Sequence, residues 1–550
     1  MPPATSRVLM MHLFRSNCST PRTTSCSQSA VSGKPIGHDE LFQYTNGRFL
    51  VDEERQFARR YVKFDVQKLC DLVASIASNK SPVCRIDKME GGFNKALLMT
   101  REDGTEVIAK IPCPKAGPAM YTTASEVAVL KFDDSLQTYQ NTLKSFTKIP
   151  VPEVLSWSSD PANPVGAEYI IMEKVAGVQL FKKWDDINVP NRFELIQKLT
   201  VLESQLASLT LPAYGSLYLR QSISEETQRI DLSSNLDPSG LYCVGPSCDR
   251  LWSDISASEV VLNTRPWAAL ADFGIEQARR EIWRIRHTEI KDARPIPRGT
   301  QQDQISLLEA TVKVMRILGM YPQLLRSSTP ILWHTDLHMG NVFVSQDDPT
   351  EITGIIDWQS TSISPMFLQV RWPVFLAPPE NYIRGLHEPA LPDDFDQLSS
   401  NRKERAIYEN DRATLSKMYE ISSYSNSRDV KYALNIPRVF RELFVRCRDA
   451  SKDGVIPLRA CLIQLFETWQ ELGLPGQCPY YPSVQDIELH NEQFADYKDW
   501  YTLQEFAMQQ LDTDSEGWAL CDFFLTKVVA EKPPEESRRM WPFLEKANTH

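Results

Sequence analysis

The sequence predicts an α+β fold of two unequal lobes, a small antiparallel β lobe of five strands followed by a larger, mostly helical one. Three observations carry that expectation. Between residues 84 and 172 short apolar runs alternate with turn residues at hairpin spacing. Beyond Gly177 the apolar period lengthens, with Ile196, Leu199, Leu202, Leu206 and Leu209 falling on one helical face. The composition, 42% hydrophobic and 24% charged over 550 residues, is that of a globular chain long enough for two lobes with additions.

In chain order, residues 39–80 read as a helical extension, charged and aromatic over 51–62 and amphipathic over 66–76. Residues 84–89 and 95–99 flank the turn Glu90-Gly91-Gly92-Phe93-Asn94, and Asp103-Gly104 turns the chain into a third strand over 107–111. A helix carrying Glu126 is expected over 122–132, and apolar segments at 151–155 and 168–172 complete the sheet. Helices follow over 193–209, 268–286 and 305–318, then a strand over 352–356 that ends on Asp357. The expected division is therefore a leader or disordered segment (1–38), the extension (39–80), a β lobe (81–175) and a helical lobe (176–550). That last lobe holds an insertion over 213–300 and a C-terminal helical extension over 376–550.

Charge is distributed unevenly. The whole chain has 60 basic and 71 acidic residues, a net charge of −11. Its first 38 residues contain Arg7, Arg15, Arg22 and Lys34, many serines and threonines, and no acid before Asp39. This Arg-rich, Ser-rich, acid-poor composition is that of a mitochondrial transit peptide. The acidic remainder lacks the field that would neutralise phosphates, so nucleic acid is not an expected partner. With no apolar run of about 18 residues, no transmembrane segment is expected.

Four features with chemical content occur in a fixed order. Gly91 and Gly92 let the hairpin backbone approach a phosphate closely. Lys110 is a polar position on an otherwise apolar strand, and Glu126 follows on the next helix, placed to pair with it. His334-x-Asp336 precedes Asn341 by five residues beyond the aspartate, between two apolar runs. One tight loop there supplies a carboxylate to orient or deprotonate a hydroxyl and an amide to help hold Mg²⁺. Asp357 closes the next strand, where it could complete the metal site with hard oxygen ligands. A zinc site built on His334, Asp336 and His338 is the competing reading; it lacks further ligands at useful spacing, which leaves His334 as a brace for the loop.

The run His334-Thr335-Asp336-Leu337-His338-Met339-Gly340-Asn341, followed by Gly354-Ile355-Ile356-Asp357-Trp358, resembles the motifs of the aminoglycoside phosphotransferase and choline kinase group of the protein-kinase-like fold. Tyr44-Thr45-x-Gly47-Arg48-Phe49-Leu50-Val51-Asp52-Glu53-Glu54, with Arg59-Arg60-Tyr61-Val62-x-Phe64-Asp65, resembles the fungal family called altered inheritance of mitochondria protein 9. The resemblance implies a bilobal kinase-like fold with ATP in the cleft. It makes Asp336 the catalytic base, Asn341 and Asp357 the Mg²⁺ ligands, and Lys110 the phosphate anchor held by Glu126. Gly91, Gly92 and Asn94 become the nucleotide loop, and Glu173 to Val175 the hinge at adenine. The implied activity is ATP-dependent phosphorylation of a hydroxyl on a small molecule in mitochondria. The other reading is an inactive nucleotide-binding or interaction module in mitochondrial maintenance or inheritance. The helical lobe carries no motif that identifies the acceptor.

Overall fold

The computed structural model describes residues 29–31, 34–50, 52–76, 79–138, 148–252, 265–287, 298–511, 513–514 and 516–519. Its small lobe is built on the five expected antiparallel strands. Val83–Glu90, Asn94–Arg101, Glu106–Pro112, Tyr169–Glu173 and Val154–Ser158 lie side by side in that order. Period-two alternation divides their side chains between two faces. Val107, Ala109 and Ile111 join Ile86, Leu97, Met99 and Ile171 in a buried layer under the helix Val66–Ile76, which contributes Leu69 and Val73. Lys110 is turned the other way, toward the helix Tyr121–Thr138, where it meets Glu126.

Two further strands extend this sheet beyond the expected five. Ser29–Val31 pairs in parallel with Val83–Glu90, and Lys34–Pro35 pairs antiparallel with Ser29–Val31. The segment read as a leader or disordered tail therefore contributes order at its end, because the outer edge of Val83–Glu90 offers unpaired backbone groups. Residues 1–28 and 32–33, on which most of the leader reading falls, lie outside the described residues.

The extension ahead of the sheet braces the Gly91-Gly92 hairpin. Lys88 Nζ donates to the carbonyls of Glu40 and Gln43 at 2.7 and 2.6 Å, and Lys95 Nζ donates to Gln43 O and Glu90 Oε1, each at 2.8 Å. Glu90 in turn accepts from the Thr45 backbone at 2.6 Å. The Tyr44-to-Glu54 motif is thus tied to the base of the hairpin, and burial lowers the Lys88 ammonium to about 8.

The large lobe surrounds one continuous apolar core. Helix Val189–Ser208 starts at Asn188, whose side chain accepts from Asn191 N, and Gln301–Leu318 starts at a capping box between Thr300 and Asp303. These pack with Leu270–His287, Ser400–Asn426, Arg438–Arg448 and Val455–Thr468. Within the expected insertion, Ser216–Leu219, Tyr242–Gly245 and Ile230–Asp231 form a separate three-stranded antiparallel sheet. None of the described helices is long and apolar enough to cross a membrane.

Candidate active site

The site forms where the loop after Pro330–Ile331 meets the end of the strand Ile352–Ile355, beneath the small lobe. Val342–Val344 pairs antiparallel with Ile352–Ile355, so the loop from 334 to 341 and Asp357 are brought to neighbouring positions. The Ile356 N–H donates to Asn341 O at 3.0 Å and joins the two ends directly. Gly354 is required here: a Cβ at that position would lie 2.3 Å from Val175 Cγ1, on the segment linking the lobes.

Within the loop the expected residues converge. Asn341 is buried, and its Nδ2 donates to the Asp336 carbonyl at 3.0 Å. With Nδ2 used in that way, Oδ1 is the amide atom left to face a cation. Asp336 itself is exposed. His334 Nε2 donates to Ile356 O at 2.9 Å, and the ring packs edge-on against Trp358 at 4.8 Å. Burial holds its pKa below the ordinary histidine range, so the ring is a neutral brace. His338 Nδ1 accepts from Gly340 N at 3.0 Å, so this imidazole is also turned to the backbone. One nitrogen of each imidazole of the zinc alternative is thus engaged with the backbone, and no group of three or more His, Cys, Asp or Glu that could hold a metal occurs among the described residues.

Across the cleft Lys110 reaches two carboxylates at once, Glu126 Oε1 at 2.6 Å and Asp357 Oδ1 at 2.7 Å. Burial works against its charge, but Asp357 and Glu126 outweigh that and hold the ammonium above its ordinary value. Burial also opposes ionisation of Asp357, yet Lys110 keeps its carboxyl below the usual range. Asp357 adopts φ +65°, a left-handed conformation that aims its side chain at Lys110 from the strand end. This couples the lobes through a single ammonium.

The Gly91-Gly92 hairpin belongs to the small lobe and is tied to the segment after Asp357. Gly91 and Gly92 lie between the strands Val83–Glu90 and Asn94–Arg101, and a Cβ built on Gly92 would meet nothing within 4 Å. The backbone there faces open space. Asn94 Nδ2 donates to Gln359 Oε1 at 3.3 Å, tying the loop to the segment after Asp357. Glu173 ends its strand, exposed, and pairs in register with Val107; the half-buried Val175 packs on Gly354. Both sit where the chain leaves the small sheet for the larger lobe. The set fits Mg²⁺-nucleotide: an oxygen pair at Asn341 and Asp357, a cation at Lys110, and a loop with room for phosphates.

Two arginines at this site were not singled out from the sequence. Arg371 donates to the Thr335 carbonyl and lies in the field of Asp336. Arg250 comes from the insertion and places its guanidinium 3.4 Å from the centre of the Phe93 ring. No motif surrounds either residue; only the folded chain brings them to the loop.

The fold and this constellation define a kinase-like phosphotransferase enzyme. Residues 102–368 match the model of the Phosphotransferase enzyme family, a span that holds Lys110, Glu126, Asp336, Asn341 and Asp357. The chain belongs to the family of the subtelomeric hrmA-associated cluster proteins and is similar to altered inheritance of mitochondria protein 9 of yeasts. A subtelomeric hrmA-associated cluster protein of Aspergillus fumigatus is 30% identical over 485 residues, covering 80% of this chain and 90% of that one. Altered inheritance of mitochondria protein 9, mitochondrial, of Saccharomyces cerevisiae is 24% identical over 480 residues, covering 80% and 72%. Among solved structures, an ADP-bound aminoglycoside phosphotransferase is 10% identical with a TM-score of 0.33, covering 72% of this chain and 99% of its own. A macrolide 2′-phosphotransferase from Brachybacterium faecium is 12% identical with a TM-score of 0.27, covering 71% and 99%.

Proposed function

We propose that this protein transfers the γ-phosphoryl group of ATP to a hydroxyl of a small molecule in mitochondria. The observation that carries the reading is the Lys110 ammonium held at 2.6 and 2.7 Å between Glu126 and Asp357, with the Asp336–Asn341 loop directly below. Adenine would lie at the hinge, against backbone groups of Glu173 to Val175. Mg²⁺, held by Asn341 and Asp357, would supply charge neutralisation at the phosphates. Lys110 would turn from Asp357 to the phosphates while Glu126 keeps it in place. The amides around Gly91 and Gly92, with Asn94 behind them, would steady the polyphosphate.

Asp336 then orients the acceptor hydroxyl and takes its proton as the new O–P bond forms. The bond from the γ-phosphorus to the bridging oxygen breaks, and ADP leaves. Mitochondrial localisation is supported by the leader composition and by the names of the yeast relatives. N-terminal sequencing of the protein from isolated mitochondria should find the leader removed; an intact Met1 there would count against cleavage.

The test of the enzymatic reading is Asp336→Asn. We expect turnover, measured with a panel of hydroxylated metabolites, to fall about 10²–10⁴-fold. Mg²⁺-ATP should still raise the melting temperature as it does in the wild type. Undiminished turnover would remove Asp336 from the role of base.

A further inference from the structure

Arg250 occupies a position that the phosphotransfer motifs do not account for. It begins the short 3₁₀ helix Arg250–Trp252, just after the insertion's strand Tyr242–Gly245. The approach to it is fixed at several points. Tyr218 donates its hydroxyl to Pro246 O at 2.7 Å, and Cys248 N donates to Ser216 Oγ at 3.0 Å. The Cys248 thiol is buried and lies 3.8 Å from Thr361 O, on the segment that follows Asp357. The carbonyl of Cys248 sits so close to Gly117 that a Cβ there would approach it to 3.2 Å.

From this anchored backbone the side chain reaches Ala116 and Phe93 of the small lobe. Arg250 Nε donates to Ala116 O at 3.4 Å, an acceptor it shares with Ser360 Oγ at 3.0 Å. Its guanidinium covers the face of Phe93, at the tip of the nucleotide loop. Burial disfavours its charge, while the carboxylates of Asp357, Asp249 and Asp336 favour it. The guanidinium is therefore in the field of both the residue read as metal ligand and the residue read as base. Phe93 directly follows Gly91 and Gly92, so the guanidinium on its ring lies beside the turn that would receive the phosphates in the proposed nucleotide site.

We propose that Arg250 is a catalytic residue delivered by the insertion, and that its guanidinium binds the γ-phosphoryl group of ATP. The planar fork suits two phosphoryl oxygens, and it would neutralise charge on them that Lys110 and Mg²⁺ do not reach. The proposal rests on ATP being the donor. It assigns the insertion a direct part in the chemistry.

ATP and ADP differ by the group in question, so their relative affinities isolate it without an identified acceptor. Isothermal titration of the full chain with Mg²⁺-ATP and Mg²⁺-ADP should show Arg250→Ala losing about tenfold or more in ATP affinity, with ADP affinity little changed. Arg250→Lys should recover part of the loss. Equal weakening of both nucleotides would overturn the proposal, since a residue that only holds Phe93 or the insertion in place acts on the whole loop. If Arg250→Ala proves too unstable to titrate, Arg250→Gln keeps the side-chain length, and the same ratio decides. A wild-type chain that binds neither nucleotide would defeat the phosphotransfer reading itself; wild-type binding with an unchanged ratio in the variants would defeat the Arg250 proposal alone.

Discussion

Lys110 shows how much depends on one buried ammonium. It is 6% exposed and is placed between Glu126, itself 2% exposed, and Asp357. Removing it would leave a buried carboxylate without its cation, a change that destabilises by about 3–5 kcal/mol in comparable settings. Asp357 is partly open to solvent, which places the expected loss for Lys110→Met at the lower end, about 3 kcal/mol. Urea unfolding of the nucleotide-free protein measures it, and Glu126→Gln in the same chain should restore part of the loss. A Lys110→Met chain as stable as the wild type would mean that the lysine is held only for ligand. At this scale the sequence was informative where a residue type is rare in its setting. A lysine on an apolar strand and an aspartate at a strand end are both conspicuous. Arg250 was not, because an arginine in a turn-rich segment is ordinary; its meaning comes from Phe93, 157 positions earlier, which only folding brings beneath it.

Among elements, legibility followed periodicity. The five central strands and the helices around Glu126, Leu199 and Leu308 were readable because alternation or a 3.6-residue period marks them. The insertion's sheet was not. Ser216–Leu219 and Tyr242–Gly245 are buried at every position, so no polar face reveals them, and Ile230–Asp231 is only two residues long. The last described strand was equally hidden. Trp518–Ala519 pairs antiparallel with Arg48–Phe49, joining opposite ends of the described chain. Beside it Glu516 accepts from Arg60 at 2.8 Å and from Lys115, and Lys115 lies 4.9 Å from the Phe93 ring. Burial opposes the Glu516 charge, but Lys115 and Arg60 hold its carboxyl below the ordinary range. Glu516→Gln should therefore cost about 1–3 kcal/mol in urea unfolding, an amount reduced by the exposure of the carboxylate. An unchanged unfolding midpoint would show that the strand pairing, rather than this carboxylate, holds the segment.

For the molecule as a whole, the C-terminal helices are part of the support of the site rather than an appendage. Helix Ser400–Asn426 packs along Val189–Ser208 through a buried polar seam: Tyr419 donates its hydroxyl to Glu203 Oε2 at 2.7 Å, and Thr200 and Ser422 share a hydrogen bond of 2.6 Å. Glu203 also lines a small cavity with His334, Thr335 and Arg371, so the seam reaches the back of the loop that carries Asp336. Burial raises the Glu203 carboxyl to about 8, and the Tyr419 hydroxyl only partly offsets that. In the unfolded chain the same group titrates near 4.3. Between those values the folded protein binds the extra proton, so this contribution to stability is full below the unfolded pKa and is lost as pH rises through about 8. Glu203→Gln keeps the shape and remains neutral at every pH. The wild-type melting temperature, relative to that of Glu203→Gln, should therefore fall as pH is raised from 6 to 9. Parallel curves for the two proteins would mean that Glu203 is already ionised in the folded state, with its charge stabilised from within the seam.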